Sequence, residues 1–177
     1  MIELDVATAA EMSALGRRLG PLLRAGDLVL LGGGLGAGKT TFTQGLGEGL
    51  GVRGPITSPT FMIARVHPSL HGGVPLVHVD AYRLGGWDEL EDLDLEATLD
   101  EAVTVVEWGE GLAEGLAGER LEIHIERSID GSDPGRTPDV VEPGAVEPGE
   151  VVDPRRVRVV AVGERWASVR LDPMLSP

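Results

Sequence analysis

The chain of 177 residues contains no cysteine. This excludes disulfides, thiol nucleophiles and cysteine-ligated metals. Aromatic residues are scarce at 3%, with one Tyr and two Phe, so a core must be built mainly from Leu, Val, Ile and Ala. No apolar run approaches the roughly 20 residues that carry a helix across a bilayer. The opening "MIELDVATAA" lacks the basic and apolar regions of a secretory signal. The expected location is therefore the cytoplasm, with no membrane contact. Basic residues are few, 15 Lys and Arg against 29 Asp and Glu, for a net charge of −14. A chain so acidic is repelled by nucleic-acid phosphates. The densest basic run, Arg155, Arg156 and Arg158, is short, and a protein partner is the better expectation. Lysine is almost missing: Lys39 is the only one.

What is present suits one domain, or one domain with an appendage. "TAAEMSALGRRLGPLL" opens on Thr8 with Glu11 three residues later, a capping-box pattern. Met12, Leu15, Leu19, Leu22 and Leu23 follow at helical spacing, and Pro21 should bend or end that helix. Leu28–Leu31 reads as a buried strand, and residues 39–51 as a helix whose Gly45, Gly47 and Gly49 require close packing to hold it. "PLVHVD" and "AVTVVE" read as further strands, with an acidic helical stretch, "WDELEDLDLEATLDEA", between them. "LEIHIE" alternates like a strand. Residues 128–154 are rich in Gly, Pro and acid and read as a loop or insertion. "RRVRVVAVG" and "RWASVRL" read as a closing hairpin, so 155–177 is expected to pack as a β-hairpin on a core of residues 1–127. The alternation of strands and helices predicts an α/β fold.

Gly33-x-x-x-x-Gly38-Lys39-Thr40 matches the phosphate-binding pattern G-x-x-x-x-G-K-[ST]. Glycines let backbone N–H groups curl into an anion nest, and a helix starting near Lys39 aims its positive end at the same place. A lysine ammonium is compact enough to reach into that loop, whereas the planar fork of arginine is too wide. This accounts for a single lysine in an arginine-using chain. Thr40 offers a hydroxyl to Mg²⁺. Such sites also need a carboxylate at the end of a neighbouring strand. Asp80 ends "PLVHVD" and Glu107 ends "VTVVE". Parallel strands would bring both to the loop's edge of the sheet, where either could hold the metal or orient water. "TSPTF", 57–61, sets Ser58 and Thr60 around Pro59 and reads equally as a γ-phosphate-sensing loop or as an ordinary turn. The four histidines form no metal set: His67 and His71 are expected in a loop and His78 and His124 inside strands, with a structural or surface role for each.

"LGAGKTT", "SPTF", "HVDAYRL" and "VVEWGE", in this order, resemble the TsaE (YjeE) family over about residues 1–127. That family comprises P-loop ATPases of bacterial tRNA threonylcarbamoyladenosine synthesis. The resemblance implies a three-layer P-loop fold: a mostly parallel central sheet, flanking helices and an antiparallel β addition. It implies that Leu35, Gly36, Ala37, Gly38, Lys39, Thr40 and Thr41 wrap the ATP phosphates. Thr40 and Glu107 would bind Mg²⁺, and Asp80 would lie nearby in a metal- or water-positioning role. Lys39, Asp80 and Glu107 would thus carry the chemistry. Trp108 would pack beside the site, Ser58–Phe61 would respond to the nucleotide, and Thr8 and Ala9 would lie near the base. The implied partners are TsaB and TsaD, with tRNA reached only through that assembly, which ATP turnover would reset. Gly34 departs from the family, which often has an acid there, and 128–154 is an insertion relative to the compact family pattern. Two other readings of the loop stand beside this one: a small-molecule kinase, for which an arginine-rich lid is not evident, and a nucleotide-gated binding module with negligible turnover.

Overall fold

The computed structural model describes residues 1–127, 152–167, 169 and 171, the side chain of Glu96 excepted. Among them, seven strands form one sheet: β1 (Ile2–Val6), β2 (Leu28–Gly32), β3 (Ala64–His67), β4 (Leu76–Asp80), β5 (Val103–Glu107), β6 (Arg120–Arg127) and β7 (Arg155–Val162). Their order is β1-β7-β6-β2-β5-β4-β3. The centre, β6-β2-β5-β4, is parallel. Antiparallel strands extend it on both sides, β3 on β4 and β7 then β1 on β6. The α/β fold, with a sheet that is parallel in its centre and carries antiparallel additions, is as the sequence implied.

All five residues of β2, β4 and β5 are buried, which follows from covering a parallel sheet on both faces. Val29 and Leu31 face a core with Met12, Leu15, Leu19, Phe42 and Leu46 of helices α1 (Ala9–Leu19) and α2 (Lys39–Leu50). Leu28 and Leu30 face a second core with Val77, Val79, Leu90 and Leu95. Helix α1 starts as its sequence predicts: the Thr8 hydroxyl accepts from the Glu11 N–H at 3.1 Å, and Glu11 reaches back to the Ala7 N–H at 2.7 Å. A 3₁₀ turn at Gly20–Leu22, with Pro21 inside it, ends the helix.

The glycines of α2 are explained by its crossing with α1. A Cβ on Gly45 would lie 1.8 Å from the Ser13 carbonyl oxygen, and one on Gly16 would lie 2.2 Å from that of Phe42. The two backbones therefore touch where side chains would hold them apart. Gly45→Ala gains about 1 kcal/mol of helix propensity but forces the helices to separate. Overpacking costs roughly 1–3 kcal/mol and occasionally more. With backbone oxygen only 1.8 Å away the cost falls at the upper end, so a net loss of about 2 kcal/mol is expected in urea unfolding, and a stabilised variant would show that the crossing is loose.

Three expectations need correction. The acidic stretch is not one helix: α3 (Trp87–Glu91) and α4 (Glu96–Leu99) are separated at Asp94, which adopts φ 49°. Among the described residues, the expected C-terminal hairpin is not found. β7 is inserted between β1 and β6, and residues 164–166 make a 3₁₀ turn rather than a return strand. The apolar face of β7 is completed by β1, whose Ile2, Leu4 and Val6 alternate with Glu3 and Asp5, a strand signal at the very start of the chain. His67 ends β3 rather than lying in a loop. The expected insertion, apart from 152–154, lies outside the described residues.

Candidate nucleotide site

The glycine loop joins β2 to α2 at the carboxyl edge of the parallel strands. Gly33 and Gly38 take φ 122° and 114°, a region that side-chain-bearing residues rarely enter. At Gly33 a Cβ would also strike the Ile125 carbonyl oxygen at 2.1 Å. Gly38 is the residue from which α2 starts, so the helix N-terminus opens directly onto the loop. Lys39 curls back along it: its ammonium donates to the carbonyls of Gly33 at 2.8 Å and Gly34 at 3.0 Å. It also lies 3.7 Å from the centroid of the Trp108 ring. Burial pushes the Lys39 pKa below its ordinary value, opposed by the charges of Glu107, Asp80 and Glu110. A cation removed from water gains most from an anion that enters beside it. Gly34 has open space around a Cβ.

Asp80 and Glu107 are register partners on β4 and β5, and Glu107 is opposite Leu31 of β2. Both carboxylates reach the loop edge, as parallel pairing requires. Their surroundings differ. Glu107 is buried and accepts from the Thr40 hydroxyl, at 3.0 Å to Oε1 and 3.2 Å to Oε2. His78 Nε2 lies 2.8 Å from the same Oε1, with both groups buried. Asp80 instead gathers the "TSPTF" segment: Ser58 and Thr60 donate to its Oδ2 at 2.9 and 2.5 Å, and the Tyr82 N–H donates to Oδ1 at 3.0 Å. The two acids are thus divided, Glu107 with the loop threonine and Asp80 with the hydroxyl segment.

Trp108 follows Glu107 with φ 62°. Holding a bulky residue there costs on the order of 1–3 kcal/mol. Its N–H still donates to the Leu31 carbonyl at 3.0 Å, extending the ladder. The turn throws the indole onto Lys39 and against Tyr82, with ring centroids 5.0 Å apart. Together, Leu35–Thr41, Ser58, Thr60, Asp80, Tyr82, Glu107 and Trp108 line a cleft of about 350 Å³. Thr8 and Ala9 are not among the lining residues. Thr8 is buried as the α1 cap, and Ala9 is exposed at the start of that helix.

The donor set can be tested against magnesium. Adjacent ligands of an octahedral Mg²⁺, each about 2.1 Å from the metal, lie about 3 Å apart. The Thr40 hydroxyl and the Glu107 oxygens have that separation. One carboxylate and one hydroxyl, with the remainder from phosphates and water, is the ligand type this cation favours. The residues fit.

Two partners escaped the sequence reading. His78, for which a structural or surface role was expected, is buried against Glu107, a contact the sequence did not show. Arg155 was noted only as part of a basic run. Its Nε donates to the Ala37 carbonyl of the glycine loop at 2.5 Å. A signal for Arg155 existed: it is in phase with buried Val157 and Val159 on β7, so its side chain had to turn inward.

A parallel sheet with a glycine loop, an invading lysine and a strand-end acid defines a protein of the P-loop α/β class. The particular family follows from comparison with known proteins. Residues 6–135 match the model of TsaE, threonylcarbamoyl adenosine biosynthesis protein TsaE. The tRNA threonylcarbamoyladenosine biosynthesis protein TsaE of Streptomyces coelicolor is 60% identical over 158 residues, 89% of this chain and 95% of that protein. The protein of the same name from Bacillus subtilis is 42% identical over 121 residues, 68% of this chain and 74% of that one. The crystal structure of Bacillus subtilis YdiB superposes with a TM-score of 0.64 at 30% identity, covering 94% of this chain and 88% of that chain. The chain belongs to the TsaE family. Among its described residues no helix is long and apolar enough to cross a membrane.

Proposed function

We propose that this protein is a magnesium-dependent ATPase that serves tRNA threonylcarbamoyladenosine synthesis by acting on a TsaB–TsaD assembly in the cytoplasm. One observation carries the reading: a partly desolvated lysine ammonium and a Thr40–Glu107 pair converge in a single cleft at a helix N-terminus. Lys39 would bind the β- and γ-phosphates, and the amides of the loop and of the start of α2 would surround them. Thr40 and Glu107 would hold Mg²⁺, which when bound neutralises charge on the phosphates. His78 keeps Glu107 turned toward Thr40. Asp80 is placed to orient a water or, through Ser58 and Thr60, to couple the hydroxyl segment to the nucleotide. The charge of −14 suits contact with protein partners, leaving tRNA to them.

The test is ATP hydrolysis by the purified protein with Mg²⁺, alone and with TsaB and TsaD. Slow turnover alone and at least about tenfold stimulation by the pair is expected. Phosphate transfer to a small acceptor faster than hydrolysis would replace this reading with a kinase. Binding with no turnover under either condition would replace it with a nucleotide-gated binding module.

A further inference from the structure

Arg155 touches the glycine loop without lining the cleft. Besides the Ala37 carbonyl, its guanidinium donates to the Asp153 carbonyl at 2.6 Å and to the Asp153 carboxylate at 2.9 Å. The side chain is 10% exposed. Asp153 is held in turn. Its N–H donates to the Ala7 carbonyl at 2.9 Å, and its carboxylate pairs with Arg127 at 2.7 Å. The hydrogen bond from Arg127 and the charge of Arg155 hold the Asp153 carboxyl below its ordinary value against some desolvation. The anchor therefore stays ionised at neutral pH.

We propose that Arg155 is a positioning residue of the phosphate loop. A planar trans peptide points its C=O and N–H in opposite directions. Fixing the Ala37 carbonyl on Arg155 therefore turns the Gly38 N–H away from β7. A phosphate nest needs its N–H groups aligned before the anion arrives. This loop is poorly suited to hold that alignment alone, because Gly33, Gly36 and Gly38 all adopt positive φ and glycine loses the most freedom on ordering. A Cβ at Gly38 would lie 3.4 Å from Arg155 Nε and 3.5 Å from Met12 Cγ. The guanidinium therefore also forms, with α1, the wall behind the loop. Arg155 lies beyond residues 6–135, the span matched by the family model, so this support comes from the C-terminal strand. Lysine would replace it incompletely: its single ammonium can reach the carbonyl but lacks the fork that grips both Ala37 and Asp153.

The inference rests on the proposed phosphate-binding role of the loop, and the experiment separates the two. Mg-ATP affinity is measured by calorimetry for the wild type, Arg155→Met, Arg155→Lys and Asp153→Asn, at a temperature where each is folded. Hydrogen exchange of the loop amides is followed without nucleotide. Wild-type protein that binds no nucleotide refutes the site reading itself. If the wild type binds, Arg155→Met is expected to weaken binding about tenfold or more, with partial rescue in Arg155→Lys. Faster exchange across residues 36–38 is expected in both. Asp153→Asn, with its exposed partner Arg127, should show the same exchange change and a loss of about threefold. A merely structural arginine would lower the melting temperature and leave the affinity of the folded protein and the loop exchange unchanged; that result overturns the proposal. Should Arg155→Met not fold, unchanged loop exchange in the other two variants overturns it equally.

Discussion

Lys39→Ala is expected to weaken Mg-ATP binding by about 10- to 100-fold in calorimetry while leaving the circular dichroism spectrum of the protein unchanged. A hydrogen bond to a charged group contributes about 1.5–3 kcal/mol net, and each 1.4 kcal/mol is about tenfold in affinity. The fold should survive because the lysine holds no part of the core. Among the described residues, its ammonium is bonded to two loop carbonyls and otherwise rests on the face of Trp108. Lys39→Arg should not restore binding. The ammonium occupies a space bounded by Gly33 O at 2.8 Å, Gly34 O at 3.0 Å and the indole at 3.7 Å, where a planar fork has no room. Undiminished affinity in the alanine variant would mean that the nucleotide is bound elsewhere. Full recovery with arginine would mean that the enclosure is not tight and that the lone lysine has another cause.

Much of this site could be read from the chain because its parts are local. The loop, Lys39 and the start of α2 are contiguous, so residue spacing alone encodes their geometry. Asp80 and Glu107 were legible for a different reason. Each ends a short apolar run, and parallel pairing places such ends together regardless of what lies between them. The fold was legible to the same extent, since β2, β4 and β5 are short, mainly apolar runs that the sheet buries throughout. The reading failed where a residue's role depends on a distant partner. Arg155 and Ala37 are 118 positions apart, and His78 meets Glu107 across 29. Neither pairing leaves a mark on local composition. The hairpin expectation failed similarly: the alternation of β7 shows a strand but does not name its neighbours, and the neighbour it found, β1, begins at residue 2. The break at Asp94 was hidden by the helix-forming residues on both sides of it. The helix glycines, costly by propensity, were an indirect sign of the close α1–α2 crossing.

Glu107→Gln is expected to lower ATP turnover by about 100-fold or more, with a loss of only a fewfold in nucleotide affinity. Glutamine keeps the size and one carbonyl oxygen for Thr40, so the cleft should remain assembled. What is removed is a full negative charge opposite the hydroxyl, and with it the hold on a divalent cation, which prefers charged oxygen ligands. Contacts aimed at charge that develops in the transition state commonly contribute about 10²–10³ in rate, whereas the lysine and the loop amides continue to bind the ground state. The effect should therefore fall mainly on kcat and on the magnesium concentration needed for half-maximal rate. Asp80→Asn is the contrasting variant. Its carboxylate is engaged by Ser58, Thr60 and the Tyr82 N–H rather than by Thr40, so it should alter turnover without shifting the magnesium requirement. Equal magnesium shifts in both variants would show that the two acids share the cation, and the division of labour drawn from their partners would be wrong. A Glu107→Gln variant with wild-type turnover would remove the metal from this site altogether.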